Sequence, residues 1–145
     1  IMHWGNKGTP AYSLDPITAA QEKAICIINK KKFTRKNNQL FVAANALKFN
    51  DIVKLEMMKL MFDNFHNDLP EPLLDLFKCN TSIHNYNTRH ARDPHLEIYK
   101  YKVVSESFLH KGPFEWTKLS HDITSSFTKN SFISRLKKKI LLEYI

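Results

Sequence analysis

The chain has 145 residues, of which 43% are hydrophobic, 25% charged and 12% aromatic, as befits one folded domain and not a disordered chain. Its three glycines, Gly5, Gly8 and Gly112, exclude a phosphate-cradling P-loop, a dinucleotide G-x-G-x-x-G and a hairpin-rich all-β fold. Lys and Arg number 22 against 14 Asp and Glu, a net charge of +8, and residues 76–145 hold +6 of it. That asymmetry suits a polyanionic partner, and it suits a merely soluble surface as well.

Two cysteines, Cys26 and Cys79, with no signal-peptide pattern point to a reduced intracellular setting, nucleus or cytoplasm. Apolar runs such as residues 24–28 fall far short of the roughly 20 residues that span a bilayer, so no membrane partner is expected. The chain opens on Ile1 without an initiator Met and reads as a piece of something longer.

The first helix signal is Asp15-Pro16, a capping carboxylate followed by a residue suited to a first helical turn. Ile17, Ala20, Ala24, Ile27 and Ile28 then recur at three- and four-residue steps, which predicts an amphipathic helix over 16–30. Lys30-Lys31-Lys32 closes it, as cations set against the helix dipole or as phosphate contacts. A short helix is expected over 38–46. Asn50 is the expected cap of a largely buried helix over 50–66, in which Met57, Met58 and Met61 fill core gaps. Leu69-Pro70-Glu71-Pro72 stops it, and residues 73–77 have room for a further turn.

Periodicity vanishes from Lys78 to His95, a polar stretch rich in turn formers. Long connections of this kind are functional or disordered. Residues 98–104 alternate like an extended segment, with no partner strand in view. Lys111-Gly112-Pro113 punctuates the chain before a short helix over 114–119, in which Phe114 and Trp116 should anchor the core. Thr128 caps a final helix over 129–143, with Phe132, Ile133, Leu136 and Ile140 as its apolar stripe.

These elements predict a mainly α fold: a small helical domain with a long irregular connection and at most one short extended segment. It divides into a helical subregion (1–77), a linker (78–97) and a basic C-terminal subregion (98–145), packed as one domain. The expected core is Ile17, Ala24, Ile28, Ile52, Leu55, Phe62, Phe132, Leu136 and Ile140.

Cys79, His84, His90 and His95 invite comparison with a zinc site, but their spacing lacks the close ligand pairs that leave one turn together. No acidic pair is grouped to hold divalent metals, and no nucleophile sits in a glycine-flanked elbow. Neither catalytic residues nor cofactors are expected in this segment. A nucleic-acid surface has better support. His84, Tyr86, Arg89, His90 and Arg92 alternate planar stacking groups with phosphate donors, and Lys111, Lys118, Arg135, Lys137, Lys138 and Lys139 extend the positive face. The bland alternatives are a surface loop pinned by Tyr86 and Arg89, and the solvated side of an amphipathic helix.

Several stretches, in order, resemble the segment after the polymerase core of non-LTR (LINE-type) retrotransposon reverse transcriptases. Trp4-Gly5, then Leu14-Asp15-Pro16-Ile17 with Gln21-Glu22-Lys23-Ala24-Ile25, is similar to the family's WG and following helix. Leu40-Phe41, Leu47 and Asp51-Ile52 resemble its next block, and Asn67-Asp68-Leu69-Pro70 its helix stop. His84-Asn85-Tyr86-Asn87-Thr88-Arg89 resembles the HSYNTR box, the most distinctive stretch. Lys111-Gly112-Pro113-Phe114-Glu115-Trp116, and Ser131-Phe132 through Lys138, resemble the closing pattern, with departures at Thr117-Lys118 and Ser120-His121.

The resemblance implies a noncatalytic C-terminal, thumb-distal region of an RNA-directed DNA polymerase. Its partners would be template RNA or target DNA and the upstream polymerase domain of the same polyprotein. The family's polymerase aspartates, endonuclease and CCHC knuckle are all missing from this sequence. A structural or protein-interaction helical module, or the remnant of a decayed element, is the alternative.

Overall fold

Helix α3 (Phe49–Phe65) is the spine against which the helices Ala11–Ile28, Phe108–Thr117 and Lys129–Leu142 pack. In this computed structural model, residues 11–32, 37–74, 76–85, 91–97, 100 and 107–145 are described. The further helices are α1 (Ala11–Ile28), α2 (Asn38–Ala43), α4 (Phe108–Thr117), α5 (His121–Thr124) and α6 (Lys129–Leu142). The fold is mainly helical, and no strand or sheet occurs among the described residues. The expected extended segment over 98–104 lies, Lys100 apart, outside them.

One hydrophobic cluster runs from Ile25 to Tyr144. Met58, Met61, Phe62 and Phe132 are fully buried at its centre. The Phe62 and Phe132 rings lie 4.8 Å apart, and Trp116 stacks between Phe132 at 5.6 Å and Phe65 at 5.0 Å. The expected core residues Leu55, Phe62, Phe132, Leu136 and Ile140 are all buried, as are Met57, Met58 and Met61. Ile52 packs against the cluster while partly buried.

Helix α3 begins one residue before the expected cap. Lys48 is its N-cap and Asn50 stands exposed in the first turn. Phe49 is buried there, so packing sets the start where a polar cap was expected.

Helix α1 departs further from expectation. It starts at Ala11 and carries Pro16 inside it, so Asp15 is not its cap. Pro16 brings no amide to the helix, so one i-to-i−4 hydrogen bond of its second turn is missing. The stripe expected inside faces out: Ile17, Ala20 and Ala24 are exposed, and Ile27 and Ile28 are 76% and 68% accessible. Ile25 and Cys26 are buried in their place. Gln21 lies at the border between the two sides. Its Nε2 donates to the Leu47 carbonyl at 2.8 Å and its Oε1 accepts from the Phe49 amide at 2.8 Å. That side-chain amide satisfies two backbone groups at the α2–α3 junction.

Three helices end alike, without glycine. Lys30, Asn45 and Asn67 have φ of 51°, 50° and 56°. Each donates to the carbonyl three residues back, and the following amide donates five residues back, as in Lys31 to Cys26, Ala46 to Phe41 and Asp68 to Asp63. These are Schellman closures with a non-glycine residue in the left-handed position. The lysine triplet therefore follows α1 and does not form its last turn.

Helix α4 begins six residues before the short helix expected over 114–119, and Gly112-Pro113 lies inside it. Gly112 is where α4 meets α3: a Cβ there would stand 3.0 Å from Met61 Sδ. Trp116 is buried as expected, but Phe114 is exposed on the opposite side of α4. Its ring stacks on His110 at 6.3 Å and carries the Lys118 ammonium 3.8 Å above it, so it is held at the surface by planar and cationic neighbours.

The irregular connection is tied to itself. Cys79 and Pro94 form an antiparallel bridge, the Asn80 amide donates to the Asp93 carbonyl at 3.0 Å, and Thr81 donates to Ala91 at 2.9 Å. His95 closes the pair on the Lys78 carbonyl at 2.7 Å. Two arms, 78–84 and 91–95, thus run side by side, with Ala91 and Pro94 buried.

Candidate nucleic-acid interface

Helix α6 is built to show one face. The Thr128 hydroxyl accepts the Ser131 amide at 3.2 Å and fixes its start, and Lys129 pairs with Asp63 of α3 at 2.5 Å. Phe132, Leu136, Ile140 and Tyr144 recur every four residues and are all buried. The side chains between them are pushed outward: Arg135 and Lys138 are exposed, Lys137 and Lys139 half-buried. Among the described residues, none of these three lysines forms an ion pair.

Two open grooves flank this helix, and Lys138 lines both. The larger, about 790 Å³, lies between α5 and α6, with Ser120, Asp122 and Ser125 on one wall and Arg135 and Lys139 on the other. Arg135 Nη1 donates to the Asp122 carbonyl at 2.5 Å, which fixes the guanidinium along the groove wall. Asp122 and Glu143 bring opposing negative charge to the same groove. The smaller, about 260 Å³, is lined by Val42, Asn45, Ser134, Lys137 and Ile145.

The nine expected contact residues fall on three elements and two unplaced positions. Arg135, Lys137, Lys138 and Lys139 come together on α6. Lys111 stands half-buried on α4. His84 and Arg92 are exposed on the two paired arms, while Tyr86 and Arg89 lie outside the described residues. The arms also carry Cys79, whose thiol is pushed up by burial and then by the charge of Asp93, so it stays protonated. The His84 and His95 rings sit edge to face at 6.3 Å, and His95 Nδ1 is 3.1 Å from Asn80 Oδ1. Among the described residues, no three His, Cys, Asp or Glu groups gather to hold a metal ion. His90, the fourth candidate ligand, lies outside them.

Sequence reasoning missed two groove residues, Ser120 and Ser125. The serines belong to the flanks of a four-residue helix, too short for any periodicity to reveal. Phe127 had a signal that pointed the wrong way. An apolar residue just before the Thr128 cap, with Phe132 four positions into the helix, spells a hydrophobic staple. Phe132 is buried, yet Phe127 is 96% accessible, so the staple is not made.

Among the described residues, no helix is long and apolar enough to cross a membrane. Comparison of the chain with protein-family models, with curated proteins and with solved structures finds no match.

Proposed function

We propose that this chain is a noncatalytic nucleic-acid-binding segment, the C-terminal extension of a reverse transcriptase of the non-LTR retrotransposon type. It would grip template RNA or target DNA through the basic face of α6. The observation that carries the binding role is that, among the described residues, Lys137, Lys138 and Lys139 form no ion pair, beside Arg135 on a helix whose other side is locked in the core. Cations already committed to carboxylates would have little left to offer a phosphate; these are free to release counterions on binding. On this reading catalysis belongs to an upstream polymerase domain, and the segment needs no cofactor of its own.

The test is salt-dependent binding of RNA and DNA by the purified chain. Log affinity should fall with log salt by about 0.7–0.9 per phosphate neutralised. Replacing Lys137, Lys138 and Lys139 together by Gln should flatten that slope with the fold retained. Absence of binding, or a slope untouched by the triple replacement, refutes the role. Recovery of the upstream reading frame tests the family: an intact polymerase core supports it, and an unrelated frame removes it.

One observation favours a second reading, a helical module that docks another protein. Ile17, Ile27 and Ile28 line one exposed face of α1 and serve no purpose in the core of this chain.

A further inference from the structure

Helices α3 and α6 lie antiparallel. Lys129 at the start of α6 pairs with Asp63 near the end of α3, and Tyr144 just past α6 bonds Asp51 in the first turn of α3. The two ends of this pair, about 25 Å apart along α3, carry opposite surfaces. At the Tyr144 end is the smaller groove, where Val42, Leu141, Leu142 and Ile145 give an apolar lining beside Lys137 and Lys138. Leu142 and Ile145 are exposed there. At the Asp63 end is the 3₁₀ turn Glu71–Leu73. The chain is held at that end on both sides of the turn, by the Asp68 amide on the Asp63 carbonyl at 2.9 Å and by Asn64 Nδ2 on the Phe77 carbonyl at 3.5 Å. Leu73 and Leu74 are exposed beside Glu71, and Asp68 stands exposed before them. Among the described residues, neither Asp68 nor Glu71 forms an ion pair.

We propose that the acidic, leucine-bearing turn of one molecule docks in the basic, apolar groove of a second copy, so that the chain self-associates head to tail. Charge complementarity selects the occupant. Two carboxylates accompany exposed leucines on one surface, and two ammonium groups accompany exposed aliphatic carbons on the other. Docking would remove from water the apolar area that both surfaces leave in it. The groove, about 260 Å³, is larger than the roughly 150 Å³ that takes a benzene ring, so it admits a leucine side chain. A molecule cannot fill its own groove, because its own turn lies at the far end of α3. Since unlike surfaces meet, the interface is heterologous: every assembly keeps a free groove at one end and a free turn at the other unless it closes into a ring. Contact through a single turn is small, so the association is weak, and salt weakens it further. Self-association shares Lys137 and Lys138 with the nucleic-acid reading but does not depend on it, and it draws on Asp68 and Glu71, which that reading leaves unused.

The experiment is sedimentation velocity of the full chain without nucleic acid, at low salt and up to about 1 mM. The unsubstituted chain should self-associate as its concentration rises. Two charge reversals, Asp68→Lys with Glu71→Lys and Lys137→Glu with Lys138→Glu, should each weaken the association about tenfold or more, because like charges then face one another. Mixed in equal amounts, the two variants should associate again. The intact acidic turn of the second then meets the intact lysines of the first, and the lysine-bearing turn of the first meets the glutamates of the second. Recovery in the mixture also shows that both variants are folded, as unchanged circular dichroism should for each alone. An unsubstituted chain that stays monomeric overturns the proposal. Association indifferent to either reversal overturns it too, placing the contact on another surface such as the exposed side of α1. So does a mixture in which the dissociated variants stay apart. A chain that self-associates in this way without binding RNA or DNA loses only the nucleic-acid reading, and one that binds them as a monomer loses only this interface.

Discussion

The Tyr144 hydroxyl donates a hydrogen bond to the Asp51 carboxylate, joining the end of the chain to the first turn of α3. The same oxygen accepts the Lys48 amide at 3.0 Å, an N-terminal donor of α3 with no partner inside its own helix. Lys48 in turn holds its ammonium 5.0 Å from the centre of the Tyr144 ring. Burial, then the Asp51 hydrogen bond, holds the phenol well above the usual tyrosine range.

Tyr144→Phe keeps the ring and removes both hydrogen bonds, and should cost about 1–3 kcal/mol in denaturant unfolding. The pH dependence has a definite sign. An unfolded tyrosine ionises near pH 10. The folded one resists ionisation, so the stabilisation is whole below that pH and is lost as pH rises toward the folded value. The unsubstituted chain should therefore lose stability above about pH 10 more steeply than Tyr144→Phe. Parallel alkaline limbs would refute the account.

Glu115 gives the opposite limb. Burial opposes its ionisation, but the Lys118 and Lys54 ammonium groups, at 2.7 and 3.0 Å, overcome that and hold its carboxyl below the usual range. Its contribution is present above an ordinary glutamate pKa and lost as pH falls below it. Glu115→Gln should flatten the acid side of the stability profile measured by thermal melts between about pH 2 and 6.

The two faces of α1 should behave as the structure divides them. Ile27→Gln and Ile28→Gln should change stability by no more than about 0.5 kcal/mol, as exposed sites do. Ile25→Ala should cost about 2–5 kcal/mol. Urea midpoints decide it, and a large loss at Ile27 would mean that the exposed face is covered within this chain.

Gly112→Ala should destabilise despite the better helix propensity of alanine. The added methyl would crowd Met61, which is fully buried, and touch the Phe108 ring at 3.6 Å. Overpacking costs about 1–3 kcal/mol against a propensity gain of about 1. A raised melting temperature would show that α3 and α4 can part freely.

At the α1 terminus, Lys30→Gly should raise stability by about 0.5–1 kcal/mol. Lysine carries a Cβ penalty at φ 51° that glycine does not. No gain in a thermal melt would mean that the lysine side chain offsets its own strain.

What could be read from residues alone divides along physical lines. α3 and α6 were legible because their apolar positions repeat through four turns and Thr128 announces a cap. The lysines of α6 were legible as outward-facing by subtraction from Phe132, Leu136 and Ile140. α1 was read onto the wrong face because apolar residues occur on both sides of it. Gln21 looks like a surface residue until its partners at Leu47 and Phe49, far along the chain, are known. The pairing of 78–84 with 91–95 is a backbone matter with no alternating side chains to betray it. In α4, Gly112-Pro113 resembled a turn because such a pair punctuates loops more often than it serves close packing.

Cys26, buried on the inner side of α1, makes that attachment chemically visible. Among the described residues, Ile25, Cys26, the two bonds of Gln21 and the Asn29 bond to the Leu40 carbonyl are slender fastenings for an 18-residue helix, so α1 is placed to lift away while the centre around Met58 and Phe132 stays closed. Each such excursion would bare a thiol that is otherwise sealed. The rate at which a disulfide reagent captures Cys26, set against half-buried Cys79 in the same molecule, would then clock the opening of one helix apart from the unfolding of the whole.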